Sequence, residues 1–272
     1  MGHSTLNLEQ RFGTIKPVFG MIHLAPLPGS PRYGGQMDDI LDRARQDALA
    51  LQAAGVDALV VENFNDEPFF TETTEPETVA AMTLAAQTVG EATGLPLGIN
   101  VLRNSWKAAM GIAAVVQATF IRLNILTDVM ITDQGLIASP AAQLARYRHA
   151  LNADNILIFA DIHSKHAVPV AGRPLQVVAQ DMVERGAADA LLVSGHSSSD
   201  PPRPEDIQTL RAAVPNTPLI IGSGMSLKTA GMLAHADATI FGFGAKPHLK
   251  APVDREMALA FMQAVRELRA QQ

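Results

Sequence analysis

Residues 217–244 read TPLIIGSGMSLKTAGMLAHADATIFGFG, and this stretch decides the fold. It holds two short apolar runs, residues 217–222 and 237–242, and each run leads into a pair of glycines. Nearly continuous apolar runs of this length are typical of strands that are buried on both faces of a sheet. The segment between the two runs is long enough for the crossover that two neighbouring parallel strands need.

Six more runs of the same kind precede this stretch. They read PVFGMIH (17–23), DALVVE (57–62), PLGINV (96–101), ATFIRL (118–123), ILIFADI (156–162) and DALLVS (189–194). Helical patterns follow most of the runs, at 38–54, 75–93, 174–185, 204–214 and 254–270. Eight strand–helix units in 272 residues predict an α/β fold, the (β/α)8 TIM barrel. A doubly wound open sheet is the alternative, but it usually has fewer strands and a glycine-rich first crossover, whereas this chain has the proline-rich turn HLAPLPGSPRYGG.

No linker or change of composition divides the chain. We therefore expect an N-terminal extension over residues 1–16, followed by a single (β/α)8 barrel domain over residues 17–272. The N-terminus has no signal-peptide core, and no apolar stretch is long enough to cross a membrane. A cytoplasmic protein without membrane insertion is the expectation.

The composition excludes several classes of function. The chain has no cysteine, which removes disulfides, thiolate nucleophiles and cysteine-ligated metal centres. Its net charge of −6 and its few aromatic residues argue against a nucleic-acid partner. Any catalysis must therefore use carboxylates, imidazoles, amides, lysine or a hard metal ion.

Polar residues end six consecutive predicted strands, on the side where TIM barrels place their active sites. The candidate catalytic residues are His23, Glu62, Asp161 and His163, and the candidate substrate-binding residues are Asn100, Arg103, Arg122, Asn124, Lys165 and Ser194. Because strand side chains alternate, Asp161 and His163 share one phase, as do Arg122 and Asn124. This regularity indicates a common site at the mouth of the barrel.

Several roles fit these residues. Glu62 is a candidate general base or metal ligand, and the alternative is a structural ion pair with Arg122 or Arg103. His23, Glu62, Asp161 and His163 together could hold a divalent cation such as Mg²⁺ or Mn²⁺, whereas an Asp–His pair without metal needs no cofactor. Lys165 suits the binding of an anion, and it could form a Schiff base only if burial removed its proton.

The glycine pairs predict a phosphate site. Gly222, Ser223 and Gly224 follow the seventh predicted strand, and Gly242 and Gly244 follow the eighth. These two loops are where barrels often bind phosphate, through backbone N–H groups and the N-terminus of a helix. Ser226 could cap that helix and Lys246 could add positive charge. The alternative is that the glycines only make tight turns.

Several motifs give the chain a family resemblance. HLAPLPGSP (23–31), VENFNDEPF (61–69), GINVLRN (98–104), FIRLN (120–124), TDQG (132–135) and GSG (222–224) resemble the BtpA/SgcQ family, in one register from about residue 17 to 270. The resemblance implies a phosphate-binding TIM barrel similar to the ribulose-phosphate-binding barrels. One branch of that family is named for photosystem I biogenesis, and another occurs among sugar-phosphate genes.

The resemblance leaves two classes of function. The first is an enzyme that acts on a phosphorylated sugar or nucleotide-like metabolite, as an isomerase, a lyase or a hydrolase of glycosidic bonds. The second is a non-catalytic assembly factor of the photosystem I biogenesis type. We expect a homo-oligomer in either case, because barrels of this type often pair through helix faces or strand-end loops.

Overall fold

The computed structural model describes residues 6–162, 164–195, 197 and 199–271. Eight of its strands close into a parallel barrel: β1 (Val18–His23), β2 (Ala58–Glu62), β3 (Leu97–Asn100), β4 (Phe120–Leu123), β7 (Leu157–Asp161), β9 (Ala190–Val193), β10 (Leu219–Ile221) and β11 (Ala238–Phe241). Around the ring their order is β1, β11, β10, β9, β7, β4, β3, β2. The predicted TIM barrel is confirmed, and each predicted strand is present but one to three residues shorter than its apolar run.

Helices surround the barrel: α2 (Met37–Ala54), α3 (Pro76–Thr93), α4 (Trp106–Val115), α5 (Ala141–Ala150), α6 (Leu175–Glu184), α7 (Pro204–Ala213) and α8 (Arg255–Arg269). Sequence signals explain their ends. α2 stops at Gly55, which has a φ of 94°, and α8 begins after Asp254, whose side chain accepts a hydrogen bond from the Met257 N–H. The seventh unit differs from the prediction, because a 3₁₀ helix over Leu227–His235 replaces an α-helix.

Large aromatic side chains fill the barrel below its mouth. Phe19, Phe120 and Phe159 are fully buried there, and the last two stack with their ring centroids 4.4 Å apart. Gly98 on β3 makes room for this stack, since a Cβ at that position would lie 2.2 Å from the ring of Phe120. The glycine in the GINV motif is therefore required by packing.

We expect Gly98→Ala to lower the free energy of unfolding by about 1–3 kcal/mol, because the added methyl group overpacks the barrel interior. Gly111→Ala is the matched control. Gly111 lies within α4, where a Cβ would contact nothing closer than 3.4 Å, so alanine should leave stability unchanged or raise it. Urea unfolding of the two variants measures the difference, and equal midpoints would contradict this account of Gly98.

The N-terminal segment covers the end of the barrel opposite the mouth. Helix α1 (Leu8–Phe12) is followed by Gly13, and Phe12 packs against Phe19 at a centroid distance of 4.9 Å. Lys16 then donates hydrogen bonds to the carbonyls of Leu233, Ala234 and Ala236, which ties the segment to the end of the 3₁₀ helix. These contacts close the amino end of the barrel.

A small antiparallel sheet was missed by sequence reasoning. β5 (Val129–Thr132), β6 (Gly135–Ala138) and β8 (Ala167–Pro169) form it from the segments that follow β4 and β7. Met130 and Ile137 pack its inner face against Ile125. The turn between β5 and β6 places Asp133 and Gln134 at the mouth of the barrel.

None of the described helices is both long enough and apolar enough to cross a membrane.

Candidate functional site

One inward-facing layer at the carboxyl ends of the strands holds most of the predicted site. The alternation that turns Phe19 and Met21 into the barrel also turns His23 inward, and on β2 it does the same for Val60 and Glu62. By the same alternation, the layer contains His23, Glu62, Asn100, Arg122, Asp161, Ser194, Gly222 and Gly242. Five of these residues are the last residues of their strands or lie within them, and Ser194, Gly222 and Gly242 directly follow β9, β10 and β11.

A cavity of about 650 Å³ lies above this layer. Ligand sites commonly have volumes in this range. Its walls include the sequence candidates His23, Glu62, Arg103, Arg122, Asn124, Lys165, Gly222, Ser223, Gly224, Gly242 and Gly244. The structure therefore brings eleven of the predicted site residues to one cavity. Asn100 and Asp161 lie buried beside it, and His163 falls outside the described residues.

Glu62 and His23 form the centre of the cavity floor. His23 Nε2 lies 3.5 Å from Glu62 Oε2, and both side chains are almost fully buried. Burial raises the pKa of Glu62, although the charges of Arg122 and Lys165 oppose the rise. Burial and the nearby charges of Lys246, Lys165 and Arg122 lower the pKa of His23 well below its usual value. His23 is therefore a neutral imidazole at pH 7, beside a carboxyl group that is able to exchange a proton.

Asp161 is held by its neighbours. Arg122 donates from Nε to Oδ1 and from a terminal nitrogen to Oδ2, both at 3.1 Å, and Asn124 donates to Oδ2 at 2.9 Å. Despite the opposing effect of burial, Asp161 and Glu62 raise the pKa of Arg122. The same guanidinium lies 3.9 Å from Glu62 Oε1. Asp161 thus fixes the orientation of Arg122, and Arg122 lies between the two carboxylates.

The described part of this cluster does not fit a divalent cation. Of the four metal candidates, Glu62 and Asp161 share the guanidinium of Arg122, so a positive charge already lies where a metal would bind. Among the described residues, no group of three or more histidine, aspartate or glutamate side chains has the spacing of a metal site. His163 is not among those residues.

Arg103 and Lys165 lie side by side on another wall. A terminal nitrogen of Arg103 donates to Ser164 Oγ at 3.0 Å and to the Lys165 carbonyl at 2.5 Å. Burial and the charge of Arg122 lower the pKa of Lys165 to about 8. No described residue accepts a hydrogen bond from Lys165 Nζ. Both residues therefore lie at the mouth of the barrel, where the sequence predicted them. The guanidinium of Arg103 contacts the backbone carbonyl of Lys165.

The lowered pKa of Lys165 has a consequence for stability. The unfolded chain holds the proton of this lysine up to a pH near 10.5, whereas the folded chain releases it near pH 8. Below pH 8 the folded protein therefore bears the full cost of burying this charge, and between pH 8 and 10.5 the cost disappears.

We expect Lys165→Met to raise the free energy of unfolding at pH 7 by at most about 3 kcal/mol. The gain should shrink as the pH rises from 8 to 10. Urea titrations of both proteins at pH 7, 8.5 and 10 measure it. Lys250→Met, at an exposed position away from the cavity, is the control and should change stability little at any of these pH values.

The glycine loops present free backbone N–H groups. In the described part of the chain, the N–H groups of Gly224, Phe243 and Gly244 donate to no protein atom. Gly222 differs, because its N–H donates to the Val193 carbonyl at 2.8 Å. The hydroxyl of Ser223 also differs from expectation: it accepts from the Gly195 N–H at 2.9 Å and donates to the Asp200 carbonyl. The free amides are therefore the donors that remain for an anion.

Close packing explains two of the glycines. A Cβ on Gly224 would lie 2.1 Å from the Pro201 nitrogen, and Gly224 also has a φ of 71°. A Cβ on Gly244 would lie 2.1 Å from the Met225 carbonyl oxygen. The two loops and the segment after β9 thus touch through backbone atoms. The positive φ of Gly224 and the close packing at both positions fit the alternative that these glycines are needed by the backbone, and their role in a phosphate site stays a prediction.

Two other sequence expectations about these loops hold only in part. Lys246 Nζ does not line the cavity, since it is buried 4.0 Å from Asp47 Oδ2 on α2, but its charge still helps to lower the pKa of His23. Ser226 is the N-cap residue of the helix that follows, as expected, and its N–H donates to Thr229 Oγ1 at 2.9 Å, but that helix is a 3₁₀ helix instead of an α-helix. Ser194 lies beneath the Gly222 loop, and its buried hydroxyl has no described partner.

Sequence reasoning missed several residues of the cavity, and three of them matter for its chemistry. Phe243 stacks on His23 with centroids 4.6 Å apart, and Phe64 approaches the same imidazole at 4.8 Å. Lys228 is exposed and lines the cavity just beyond the first glycine loop. Phe64 and Phe243 each come two residues after a strand end, so their position was the available signal, whereas Lys228 lies in the 3₁₀ helix and gave none.

The chain resembles curated relatives over nearly its whole length. It is 42% identical over 265 residues to the "Photosystem I biogenesis protein BtpA" of Synechocystis sp., covering 96% of this chain and 92% of the relative. It is also 42% identical over 239 residues to an uncharacterized protein of Methanocaldococcus jannaschii, covering 87% and 89% of the two chains.

Solved structures share the fold at low sequence identity. A structure described as "Native KDPGal structure" has a TM-score of 0.59 at 15% identity and covers 94% of this chain and 97% of its own. KGPDC from Streptococcus mutans has a TM-score of 0.57 at 12% identity, with coverage of 93% and 99%. Phosphoribosyl anthranilate isomerase from Thermus thermophilus has 0.56 at 17%, also with 93% and 99%. The sequence model of the BtpA family matches residues 14–267, and the chain therefore belongs to the BtpA family.

Proposed function

We propose that this protein is an enzyme that acts on a phosphorylated sugar or a nucleotide-like metabolite. One observation supports this most directly. The cavity at the mouth of the barrel is lined by the two glycine loops, three of whose N–H groups have no described acceptor, and by the buried Glu62–His23 pair. Such a cavity can bind a phosphate and expose the rest of the molecule to a proton-transferring group.

In this proposal, residues after β10 and β11 bind the phosphate, and residues at the ends of the other strands bind the rest of the substrate and transfer protons. Phosphate accepts hydrogen bonds from the N–H groups of Gly224, Phe243 and Gly244, and Lys228 adds charge at the rim. Glu62 moves protons, with neutral His23 beside it as a hydrogen-bonding group. Asp161 positions Arg122 and Asn124 against the substrate, because both of its oxygens are taken by these two residues. Isomerisation, aldol-type cleavage and cleavage of a glycosidic bond all suit this equipment.

The proposal agrees with the names of some structural neighbours. Solved structures with the same fold include a phosphoribosyl anthranilate isomerase and an orotidine 5'-phosphate decarboxylase, whose names contain phosphorylated compounds. At these identities the likeness shows the fold alone. Support for a phosphate site in this chain therefore comes from its own loops.

A thermal-shift screen with sugar phosphates and nucleotides tests the proposal, because a ligand that binds only the folded state stabilises it by about 2.7 kcal/mol at a hundredfold excess over Kd. We expect Lys228→Gln to weaken the binding of every phosphorylated ligand several-fold, because a positive charge leaves the rim. Lys250→Gln, an equally exposed lysine outside the cavity, should bind like the wild type. If no phosphorylated compound shifts the melting temperature, the proposal is wrong.

A non-catalytic assembly role is the second candidate, and it is favoured by the name of the Synechocystis relative. The two candidates differ in what they require of the cavity. An assembly factor would keep its function with Glu62→Gln, whereas an enzyme would lose it. We also propose a homo-oligomer, for which light scattering of the purified protein gives the mass in solution.

A further inference from the structure

The buried charges around the cavity do not balance. Three cations, Arg103, Arg122 and Lys165, interact with two buried carboxylates, Glu62 and Asp161. Lys246 and Asp47 pair with each other, and His23 is neutral. His163, outside the described part, cannot supply a negative charge. The described cluster therefore has one more positive charge than negative charge when Glu62 is ionised, and a larger excess when it is protonated.

The positive charges without a carboxylate partner are those of Arg103 and Lys165. Arg122 contacts both buried carboxylates, Asp161 at 3.1 Å and Glu62 at 3.9 Å. No described carboxylate lies within 4.0 Å of Arg103 or Lys165. Asp133, at the exposed turn between β5 and β6, acts on Arg103 through its charge alone, and its own Oδ2 accepts from the Gln134 side chain.

Arg103 is also short of hydrogen-bond partners. It is 7% exposed, and its buried Nε has no described acceptor. One terminal nitrogen donates to the Ser164 hydroxyl and to the Lys165 carbonyl, which keeps the guanidinium in place beside the cavity. Leaving a buried charged donor unpaired is costly, and such a cost is tolerated where a ligand supplies the missing partner.

Arg103 lies across the mouth from the first glycine loop. In the closed ring of eight strands, β3 and β10 are four positions apart, so Arg103, which follows β3, is diametrically opposite Gly222–Gly224, which follow β10. Lys165 follows β7, two positions from β10, and Arg103 donates to its carbonyl. A single phosphate on the glycine loops therefore leaves Arg103 on the far wall without an anion.

We propose that Arg103 and Lys165 form a second anionic subsite, and that the substrate carries a second acidic group, a carboxylate or a second phosphate, at the end remote from its phosphate. This inference rests on the proposed function, because it takes the glycine loops as the site of the first phosphate. A guanidinium and an ammonium are the groups that recognise either anion, and the carboxylate also matches the planar donor edge of Arg103.

Three six-carbon probes that differ at one end test this subsite. Sorbitol 6-phosphate has a hydroxymethyl group there, 6-phosphogluconate has a carboxylate, and sorbitol 1,6-bisphosphate has a second phosphate. Calorimetry with the full chain gives their dissociation constants. We expect at least one of the two probes with a second acidic group to bind about tenfold or more tightly than sorbitol 6-phosphate, since one charge-assisted contact has about that effect. The tighter of the two identifies the second group.

Matched variants assign the preference to the two cations. Lys165→Gln and Arg103→Gln should each reduce the preference to about threefold or less, while sorbitol 6-phosphate binds nearly as before. Lys165→Gln is the safer variant, because Lys165 Nζ holds no described residue, whereas Arg103 supports a loop. Lys228→Gln should weaken all three probes equally and keep the preference.

The outcomes separate this inference from the proposed function. If all three probes bind with equal affinity to the wild type, or if both glutamine variants keep the preference, the second subsite does not exist, but the phosphate site stands. If none of the probes binds, both proposals fall.

Discussion

Asp161→Asn is expected to lower the free energy of unfolding by about 3–5 kcal/mol, a large share of the stability of a protein of this size. The substitution preserves shape but removes the charge that pairs with Arg122 in the barrel interior. Either orientation of the new amide also places an NH₂ group where Asp161 now accepts hydrogen bonds. Arg122 donates to both oxygens of Asp161 and Asn124 donates to Oδ2, so the new NH₂ group would face an N–H donor in either orientation.

Urea unfolding at pH 7 measures this loss, and Glu62→Gln is the matched control. Glu62 is as buried as Asp161, and its replacement is also isosteric. Its surroundings differ, because Arg122 contacts it only at 3.9 Å and burial disfavours its charged form. The control should therefore be at least as stable as the wild type. If Asp161→Asn unfolds at the wild-type urea concentration, Asp161 does not have the positioning role that we propose.

A double substitution separates the pair from its parts. Replacing a whole buried ion pair by apolar residues of similar size is often neutral, whereas removing one partner leaves a buried charge. Arg122→Met with Asp161→Leu should thus recover much of the stability that either single change removes. If the double variant loses as much free energy of unfolding as the two single variants lose together, the two residues do not stabilise each other.

The fold could be predicted from the sequence because each strand of a closed parallel barrel is buried on both sides. Every such strand then appears as a short apolar run, and the count of eight follows from the runs alone. The sheet of β5, β6 and β8 gives no such signal. Its strands have three or four residues and one exposed face, with Ile131, Leu136 and Val168 in solvent, so they look like loop segments.

The sequence predicts which side chains lie at the mouth of the barrel, because strand alternation is strict. It does not predict which of those side chains form hydrogen bonds and ion pairs with each other. Sequence phase places Glu62, Arg122 and Asp161 at the mouth, but nothing in the sequence says which carboxylate the arginine holds. The distances decide that Asp161 is the main partner of Arg122. The partner of Lys246 was likewise not predictable, because its position in a glycine loop does not reveal that its side chain turns outward to Asp47.

The structure also changes which substitution is informative at the glycine loops. A side chain at Gly224 would collide with the backbone of residues 200 and 201, so Gly224→Asp would disturb folding as well as ligand binding. Gly242 is more tolerant, because a Cβ there lies 3.2 Å from the Met21 side chain and 3.3 Å from the His23 ring. Lys228 is exposed and more tolerant still, so its substitution tests phosphate binding without disturbing the fold.

Glu62→Gln should lower turnover by about 10²–10⁴-fold once a substrate has been found, because it removes the group proposed to transfer the proton. This loss should occur without a loss of stability. Burial raises the pKa of Glu62, so the folded protein holds that proton more tightly than the unfolded chain does, and ionisation at higher pH reduces stability. Glutamine resembles the protonated form and avoids that cost.

The sign of the pH dependence follows from this shift. Below pH 4.5 the carboxyl group is protonated in both states, so the wild type and Glu62→Gln should unfold alike. As the pH rises through the raised pKa, the variant should become the more stable protein while kcat/KM of the wild type increases, because the ionised carboxylate is the base. Unfolding titrations between pH 4 and 8 and a pH–rate profile measure both effects. A variant that is inactive and also less stable at pH 7 would show that Glu62 supports the fold through Arg122, whereas full activity would remove Glu62 from the mechanism.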